Sequence, residues 1–338
     1  MSDAPIPRLV DRYGREVTDI RVSVTRRCNF RCVYCHDEGQ GPVLSPGEPS
    51  PGEMAPSHIE RILRVAAQFG IVSVKFTGGE PLVRSDIVSI VRGASRHLAD
   101  VSMTTNGALL APLALPLREA GLGRINVSVD SLDPEAFREI RRGRLLPVLR
   151  GIRAALAAGL SPVKLNMVVM KRTLPYLADM IRYVGESGGL QLQLIQYMPE
   201  LVGQKKWMAD IDEVKEALAG AADRIEVREM HHRNVYHVHG ARVEVVDPVH
   251  NREFCFNCRR MRVTYDGMLK GCLNRDDDLV PTAGLSDDGI RDAFRRVVAA
   301  RVPYYGVHVT DDPERRDSTW PSERSPKERT SAPERARL

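Results

Sequence analysis

Apolar residues recur along the first two hundred positions in two alternating periods. Every-second-residue patterns predict strands over 19–25, 71–77, 100–105, 124–130, 163–169 and 191–196; the first runs Asp19-Ile20-Arg21-Val22-Ser23-Val24-Thr25. Between them, apolar residues three and four apart predict helices. One starts from Ser57 as N-cap and runs to Phe69, burying Ile62, Leu63, Val65 and Ala66, and Gly70 ends it. Others are predicted over 86–97, in the Pro- and Leu-rich stretch before Gly121, and over 134–142, 147–158 and 174–187. The first of these last three carries a basic run, Arg138, Arg141, Arg142 and Arg144. Strands alternating with helices of this length imply parallel βαβ units with right-handed crossovers. The six units predict an α/β fold, a partial (β/α)6 TIM-like barrel rather than a closed eight-fold one.

After Gly203 the pattern changes. A helix is predicted over 207–218 and a short strand over 224–228. His231, His232, His237 and His239 follow and read as a polar strand face rather than a metal site. From Thr310 the chain is charged, dotted with Pro and Ser, and without apolar periodicity, which predicts a disordered tail. The expected organisation is therefore a barrel over 1–203, a C-terminal region over 204–309 and a tail over 310–338.

Composition narrows the function classes. A hydrophobic fraction of 43% with 28% charged residues is that of a globular protein, and a net charge of +5 does not suggest a general nucleic-acid binder. Met1 to Arg15 contains no apolar signal region, and no run approaches the roughly 20 apolar residues of a membrane span, so a cytoplasmic protein without a membrane partner is expected.

The cysteines change the picture more. They fall into two groups of three: Cys28, Cys32 and Cys35, then Cys255, Cys258 and Cys272. In a reducing compartment such clusters point to metal centres rather than disulfides. The first group, at C-x3-C-x2-C spacing just after a strand, can wrap three corners of a four-iron cluster. A cluster that only carries electrons is usually closed by four cysteines, so the fourth corner is left for another ligand. Tyr34 adds an aromatic beside that loop. A zinc knuckle is the competing reading. It wants a fourth Cys or His, and His36, directly after Cys35, is poorly placed to converge on the same ion. Gly78-Gly79-Glu80-Pro81 follows the second strand; its glycines allow close backbone approach, and Glu80 offers an acceptor for an ammonium group. The second group has C-x2-C-x13-C spacing, with Tyr265-Asp266-Gly267 as a hairpin turn returning Cys272 to the pair.

These motifs, with Thr104-Thr105-Asn106-Gly107, Asn126 to Asp133, Lys164-Leu165-Asn166, Tyr197-Met198-Pro199 and the segment from Cys258 to Leu273, resemble the GTP 3′,8-cyclase family of radical S-adenosylmethionine (SAM) enzymes in molybdenum-cofactor biosynthesis. The likeness runs from about residue 8 to about 308. It implies a radical SAM barrel with a C-terminal extension that carries a second iron–sulfur cluster, hence two [4Fe-4S] clusters and SAM. The implied reaction cleaves SAM to a 5′-deoxyadenosyl radical, which takes the 3′ hydrogen of GTP and leads to 3′,8-cyclo-7,8-dihydro-GTP. By the same resemblance Tyr34, Gly78, Gly79, Glu80, Ser128, Asn166 and Met198 contact SAM. Arg21, Lys75, Thr104, Lys164, Arg260, Met261 and Arg262 contact GTP, with Arg260 and Arg262 catalytic. An electron donor and a homodimer are also implied. The sequence departs from the family at Lys75, usually Arg, and at Gln193-Leu194-Ile195-Gln196, usually Arg-Phe-Ile-Glu. The usual Cys-Asn-Arg-x-Arg is Cys258-Arg259-Arg260-Met261-Arg262, and the chain ends Arg335-Ala336-Arg337-Leu338 where the family carries Gly-Gly. Two alternatives stay open: a two-cluster paralogue acting on another nucleotide or a peptide, and an iron–sulfur or zinc module that contacts RNA.

Overall fold

The computed structural model describes residues 7–37 and 40–305. The tail expected from residue 310 lies outside them, as does Gly39 in the loop before the first helix. Six parallel strands come first: β1 (Asp19–Ser23), β2 (Ser73–Thr77), β3 (Asp100–Thr105), β4 (Arg124–Ser128), β5 (Val163–Val169) and β6 (Leu190–Gln196). They lie side by side in chain order as an open, partial barrel. Each of β2–β6 is reached through helical segments: α1 (Pro56–Gln68), α2 (Ile87–Ser95), α3 (Leu110–Glu119), α4 (Pro134–Arg141) with α5 (Leu145–Ala157), and α6 (Leu177–Glu186). Parallel neighbours require such crossovers; the helices cover the outer face of the sheet, and the inner face wraps around the barrel interior. β2 is accordingly buried at all its positions.

Local chemistry sets the helix ends. α1 begins at Pro56 behind an Ala55 cap, two residues earlier than a Ser57 cap implies, because proline suits the first helical turn, whose N–H has no partner. α4 is capped by Asp133, whose Oδ1 accepts from the N–H groups of Glu135 and Ala136. The helix expected over 174–187 opens with a 3-10 turn at Leu174–Tyr176, so α6 proper starts at Leu177.

The C-terminal region extends the same sheet from both ends. After α7 (Pro199–Val202), α8 (Ile211–Ala221) starts at its Asp210 cap, four residues later than expected from Trp207. Next come β7 (Arg224–Val227), β8 (Asn234–Val238) and β9 (Ala241–Val246), and β9 pairs in parallel with β6. The chain then crosses back through α9 (Arg252–Phe256). β10 (Arg260–Val263) pairs in parallel with β1, followed by β11 (Met268–Lys270), β12 (Val280–Pro281) and α10 (Asp287–Ala300). Among the described residues the sheet order is β12-β11-β10-β1-β2-β3-β4-β5-β6-β9-β8-β7. One hydrophobic core runs through both parts, and α10 packs on α1 with the Phe69 and Phe294 rings 5.8 Å apart. Among the described residues no helix is long and apolar enough to cross a membrane.

Candidate active site

The C-terminal ends of β1–β6 open onto a cavity of about 580 Å³, and both cysteine triads line it. The first triad sits in the loop after β1. That loop is pinned by backbone bonds from Cys28 N to the Leu44 carbonyl and from Val33 N to the Ile140 carbonyl. Behind it lies a buried network. Tyr34 donates its hydroxyl proton to Asp130 Oδ2 at 2.6 Å, Arg141 Nη1 donates to the same oxygen at 3.0 Å and to the Tyr34 oxygen, and Asp130 Oδ1 accepts from Val168 N. The Arg141 guanidinium also faces the Phe30, Tyr34 and Phe137 rings. The sequence placed Arg141 in a basic run; the fold buries it, with 5% of its side chain exposed, as the counter-ion of Asp130. Burial raises the Cys28 thiol to about 11 and pushes Cys32 and Cys35 upward as well. Burial thus favours the protonated thiols, and binding a metal displaces those protons.

Gly78 and Gly79 serve a close approach, but to protein backbone. A Cβ on Gly79 would stand 2.3 Å from the Arg27 carbonyl oxygen, and one on Gly78 2.5 Å from that of Thr25. Gly79 N donates to the Thr25 carbonyl and Glu80 N to that of Arg27, so the turn is laced to the cysteine loop. Glu80 was expected to offer its carboxylate to an ammonium group. Its Oε1 accepts from Leu82 N and the Thr105 hydroxyl and its Oε2 from Asn106 N, which leaves Oε2 one further acceptor position beside the cavity. It ties the ends of β2 and β3 together. Asn106 in turn reaches Asn29 in the cysteine loop.

The second triad is braced differently. Cys255 lies in α9, Cys258 just after it, and Cys272 beyond β11, returned by the expected hairpin turn. Two buried arginines hold the loop by its carbonyls: Arg15 Nη1 donates to Cys255 O at 2.9 Å and Arg301 Nη2 to Cys258 O at 2.6 Å. Asp11 pairs with both arginines. Burial raises Cys255 to about 11 and lifts Cys272. At Cys258 burial works the same way, but Arg301, Arg260 and Arg15 outweigh it and hold the thiol below its usual range.

Between the triads runs a polar wall. In register across the sheet, Arg262 of β10, Arg21 of β1 and Lys75 of β2 are neighbours. Lys75 Nζ donates to Asn126 Oδ1 of β4, and Asn126 Nδ2 donates on to Asn166 Oδ1 of β5 and Gln193 Oε1 of β6. Lys164 Nζ meets Glu244 Oε2 of β9 at 2.6 Å. Burial, then Arg21, Arg124 and Arg260, depress the Lys75 ammonium well below its ordinary value; burial takes Lys164 to about 8 despite Glu244. Arg260 pairs with Asp19, whose carboxyl is depressed because Arg260 and Arg21 outweigh its burial. Tyr34, Thr104, Ser128, Met198, Arg260 and Arg262 all reach the cavity. Met261 does not. Alternation along β10 turns Arg260 and Arg262 to the cavity and sends Met261 into the core at 0% exposure. The histidine run does not converge either. His231 stacks on Phe254, His232 meets Glu253, and His237 meets Glu226.

Several residues that build the site carried no signal in the sequence: Arg15, Arg301, Glu244, Arg228 and Arg233; Asp130, Thr105 and Asn106 lay in noted motifs and Arg141 in the basic run, but without their partners. Arg228 and Arg233 both pair with Glu244. The strand registers that bring them together join segments far apart in the chain, and only the strand parity that separates Met261 from its two arginines was readable beforehand.

The residues present fit iron–sulfur ligation. All six thiols are free, and backbone N–H groups of Phe30 and Tyr305 point at Cys28 Sγ and Cys255 Sγ at 3.4 Å, a contact that tunes cluster sulfurs. Arg141 stands behind the first triad and Arg15, Arg260 and Arg301 around the second, where they offset thiolate charge. Among the described residues no three His, Cys, Asp or Glu side chains are close enough to share a single ion; thiolates at the corners of a multi-iron cluster stand wider apart. Buried polar atoms without a hydrogen-bond partner among the described residues, Arg15 Nη2, His231 Nδ1, Arg233 Nε and the Tyr305 hydroxyl, belong to residues that line the same cavity.

Comparison with known proteins agrees with this geometry. Residues 22–184 match the Radical SAM superfamily and residues 190–306 the Molybdenum Cofactor Synthesis C family. A Halobacterium salinarum protein named "Probable GTP 3′,8-cyclase" is 48% identical, across 89% of this chain and 91% of that protein. Like-named proteins of Methanosarcina mazei and Thermococcus kodakarensis are 45% and 43% identical; each match spans 88% of this chain, with 90% and 99% of the respective relative. Among solved structures, Streptococcus suis SuiB bound to S-adenosylmethionine superposes with a TM-score of 0.60 at 17% identity, over 82% of this chain and 68% of that one. Native anSMEcpe with bound AdoMet gives 0.55 at 16% identity, over 83% of this chain and 80% of that one. These two show the shared fold. With relatives this similar over nearly nine-tenths of its length, the chain belongs to the GTP 3′,8-cyclase family of radical SAM enzymes.

Proposed function

We propose that this protein is a GTP 3′,8-cyclase that forms 3′,8-cyclo-7,8-dihydro-GTP for molybdenum-cofactor biosynthesis, with one [4Fe-4S] cluster on each triad. The observation that carries the reading is that two cysteine triads face one cavity whose wall between them is lined with Arg and Lys. With its first cluster and SAM bound, the site has available the one-electron cleavage that yields the 5′-deoxyadenosyl radical for removal of the 3′ hydrogen. The chain's own residues do the rest. Cys28, Cys32 and Cys35 hold that cluster, while Gly78, Gly79, Ser128, Asn166 and Met198 line the SAM end. Glu80 locks β2 to β3 and offers the remaining acceptor position on Oε2 to the SAM ammonium group. Arg21, Lys75, Thr104, Lys164, Arg260 and Arg262 bind GTP, since guanidinium forks suit phosphate and carbonyl acceptors and a triphosphate needs several cations. Arg260 and Arg262 present their side chains beside the second triad, where the reacting nucleotide sits. Burial and the neighbouring arginines lower the Lys75 ammonium below its ordinary value, and an arriving anion offsets that effect. Arg228 and Arg233 are not needed for this reading.

An external one-electron donor supplies the first cluster, and the enzyme works as a homodimer with its two functional parts meeting near residue 203. The test is anaerobic reconstitution, then incubation with SAM, dithionite and GTP deuterated at C3′. Deuterium in the 5′-deoxyadenosine together with a cyclised GTP product is the expected result. SAM cleavage without deuterium transfer would reject GTP as the substrate and leave the paralogue reading.

A further inference from the structure

β7 and β8 form a hairpin, with Val227 opposite Asn234 and Arg228 N donating to the Arg233 carbonyl. The turn it closes, residues 228–233, is held from outside. His231 N donates to the Asn257 carbonyl, the His231 ring stacks on Phe254 at 3.9 Å and 3°, and His232 Nδ1 meets Glu253 at 2.7 Å. All three anchors lie in or just after α9, the helix that carries Cys255. His231 adopts φ +65°, in the left-handed region that residues other than glycine visit uncommonly. Such a turn is locked in place rather than left to solvent.

What the locked turn presents is charge. Arg233 Nη2 lies 3.0 Å and Arg228 Nη1 3.1 Å from Glu244 Oε1, while Lys164 takes Oε2. Three cations thus share one carboxylate, a local excess of two positive charges on the cavity wall. Arg233 is nine-tenths buried, and its Nε has no hydrogen-bond partner among the described residues. Arg228, Arg233 and His231 all line the cavity. A buried guanidinium with a donor to spare and surplus positive charge around it is matched by an anion carrying several charges along its length, not by a single carboxylate.

From this arrangement we infer that the 228–233 turn is a polyphosphate-recognition element, in which Arg233 and Arg228 join Lys164 in gripping the phosphate chain of the substrate. The inference rests on reading the cavity as a nucleoside-triphosphate site. It adds two residues that this reading does not require, and assigns the C-terminal hairpin a part in choosing triphosphate over monophosphate.

The experiment titrates inorganic tripolyphosphate, GTP and GMP into the anaerobically reconstituted full chain and into Arg233→Ala, Arg233→Lys and Arg228→Ala. Thermal unfolding and iron content confirm that each variant is folded. A lost charge-assisted contact predicts that Arg233→Ala binds tripolyphosphate and GTP roughly tenfold or more weakly, with a much smaller change for GMP. Arg228→Ala shows a weaker form of the same pattern, and Arg233→Lys recovers part of the loss. Folded Arg233→Ala and Arg228→Ala proteins that bind tripolyphosphate as the unaltered protein does overturn the inference. Should Arg233→Ala fail to fold, Arg233→Lys and the more exposed Arg228→Ala decide by the same readout. The two readings separate cleanly. Arginine-dependent tripolyphosphate binding in a protein that does not cyclise GTP removes GTP as substrate and keeps the element. GTP cyclisation with tripolyphosphate binding indifferent to both arginines does the reverse.

Discussion

Asp130 accepts hydrogen bonds from the Tyr34 hydroxyl, the Arg141 guanidinium and the Val168 backbone N–H, all out of water. Replacing it with asparagine leaves the Arg141 charge buried beside the first triad without its counter-ion. Removing one member of a buried pair costs about 3–5 kcal/mol, and denaturant unfolding of Asp130→Asn is expected to show a loss of that order. A loss below about 1 kcal/mol would mean that the three surrounding rings compensate the charge by cation–π attraction alone. Glu244 makes the complementary case for a carboxylate. Burial pushes its carboxyl up, but Arg233, Lys164 and Arg228 pull it down to about 2 from an ordinary 4.5. A carboxyl depressed in the folded state stabilises the fold above the unfolded value, and that stability is lost as pH falls from about 4.5 through 2. Its size at neutral pH is about 3 kcal/mol. The stability gap between the unaltered protein and Glu244→Gln is therefore expected to be largest at pH 7 and to narrow towards pH 3. A gap that stays constant in urea titrations at the two pH values would remove the ionic explanation.

At the scale of elements, the cysteine loop depends on parts of the chain a hundred residues away. The short connection between α4 and α5 contains Gly143, where an added Cβ would stand 2.2 Å from the Phe30 ring in the cysteine loop. Phe30 is buried and edge-on to Phe137 at 6.1 Å, so it has little room to move. Gly143→Ala is expected to cost about 1–3 kcal/mol through overpacking and to displace the first triad while sparing the second. Iron analysis of the reconstituted variant should then fall towards half of the unaltered content. Full iron retention would show that the loop tolerates the shift. The same logic explains Gly79, whose missing side chain lets β2 be laced to the loop after β1.

Across the whole molecule, the C-terminal region occupies both edges of the six-stranded sheet: β9 covers β6 and β10 covers β1. Without it, two edges of an apolar parallel sheet face water, a recognised route to aggregation. A fragment ending at residue 203 is expected to be insoluble alone and to be rescued by co-expression of the remainder, as judged by sedimentation of cell lysates. A soluble, monodisperse fragment would show that the barrel part stands without its neighbours. The arrangement also carries a functional consequence, since wrapping both edges places the second triad and the β7–β8 turn over the mouth built by β1–β6.

Alternating periodicity and cysteine spacing are local properties, and they were legible in the chain. The six strands fall within two residues of their expected bounds, and the order of parallel units follows from the helices between them. Cysteine spacing, GGEP and the Arg-x-Arg segment marked the mouth of the cavity because each motif works within a few residues. The pairing of buried charges was not legible. Arg141 with Asp130, Arg301 with Asp11 and Arg233 with Glu244 are contacts made by strand register and by the return of the chain to the far edge of the sheet. A lone arginine in a sequence looks the same whether solvated or buried. Only the tertiary structure supplies the counter-ion that makes burial affordable, and so only it decides which of the 49 Lys and Arg residues hold the site together.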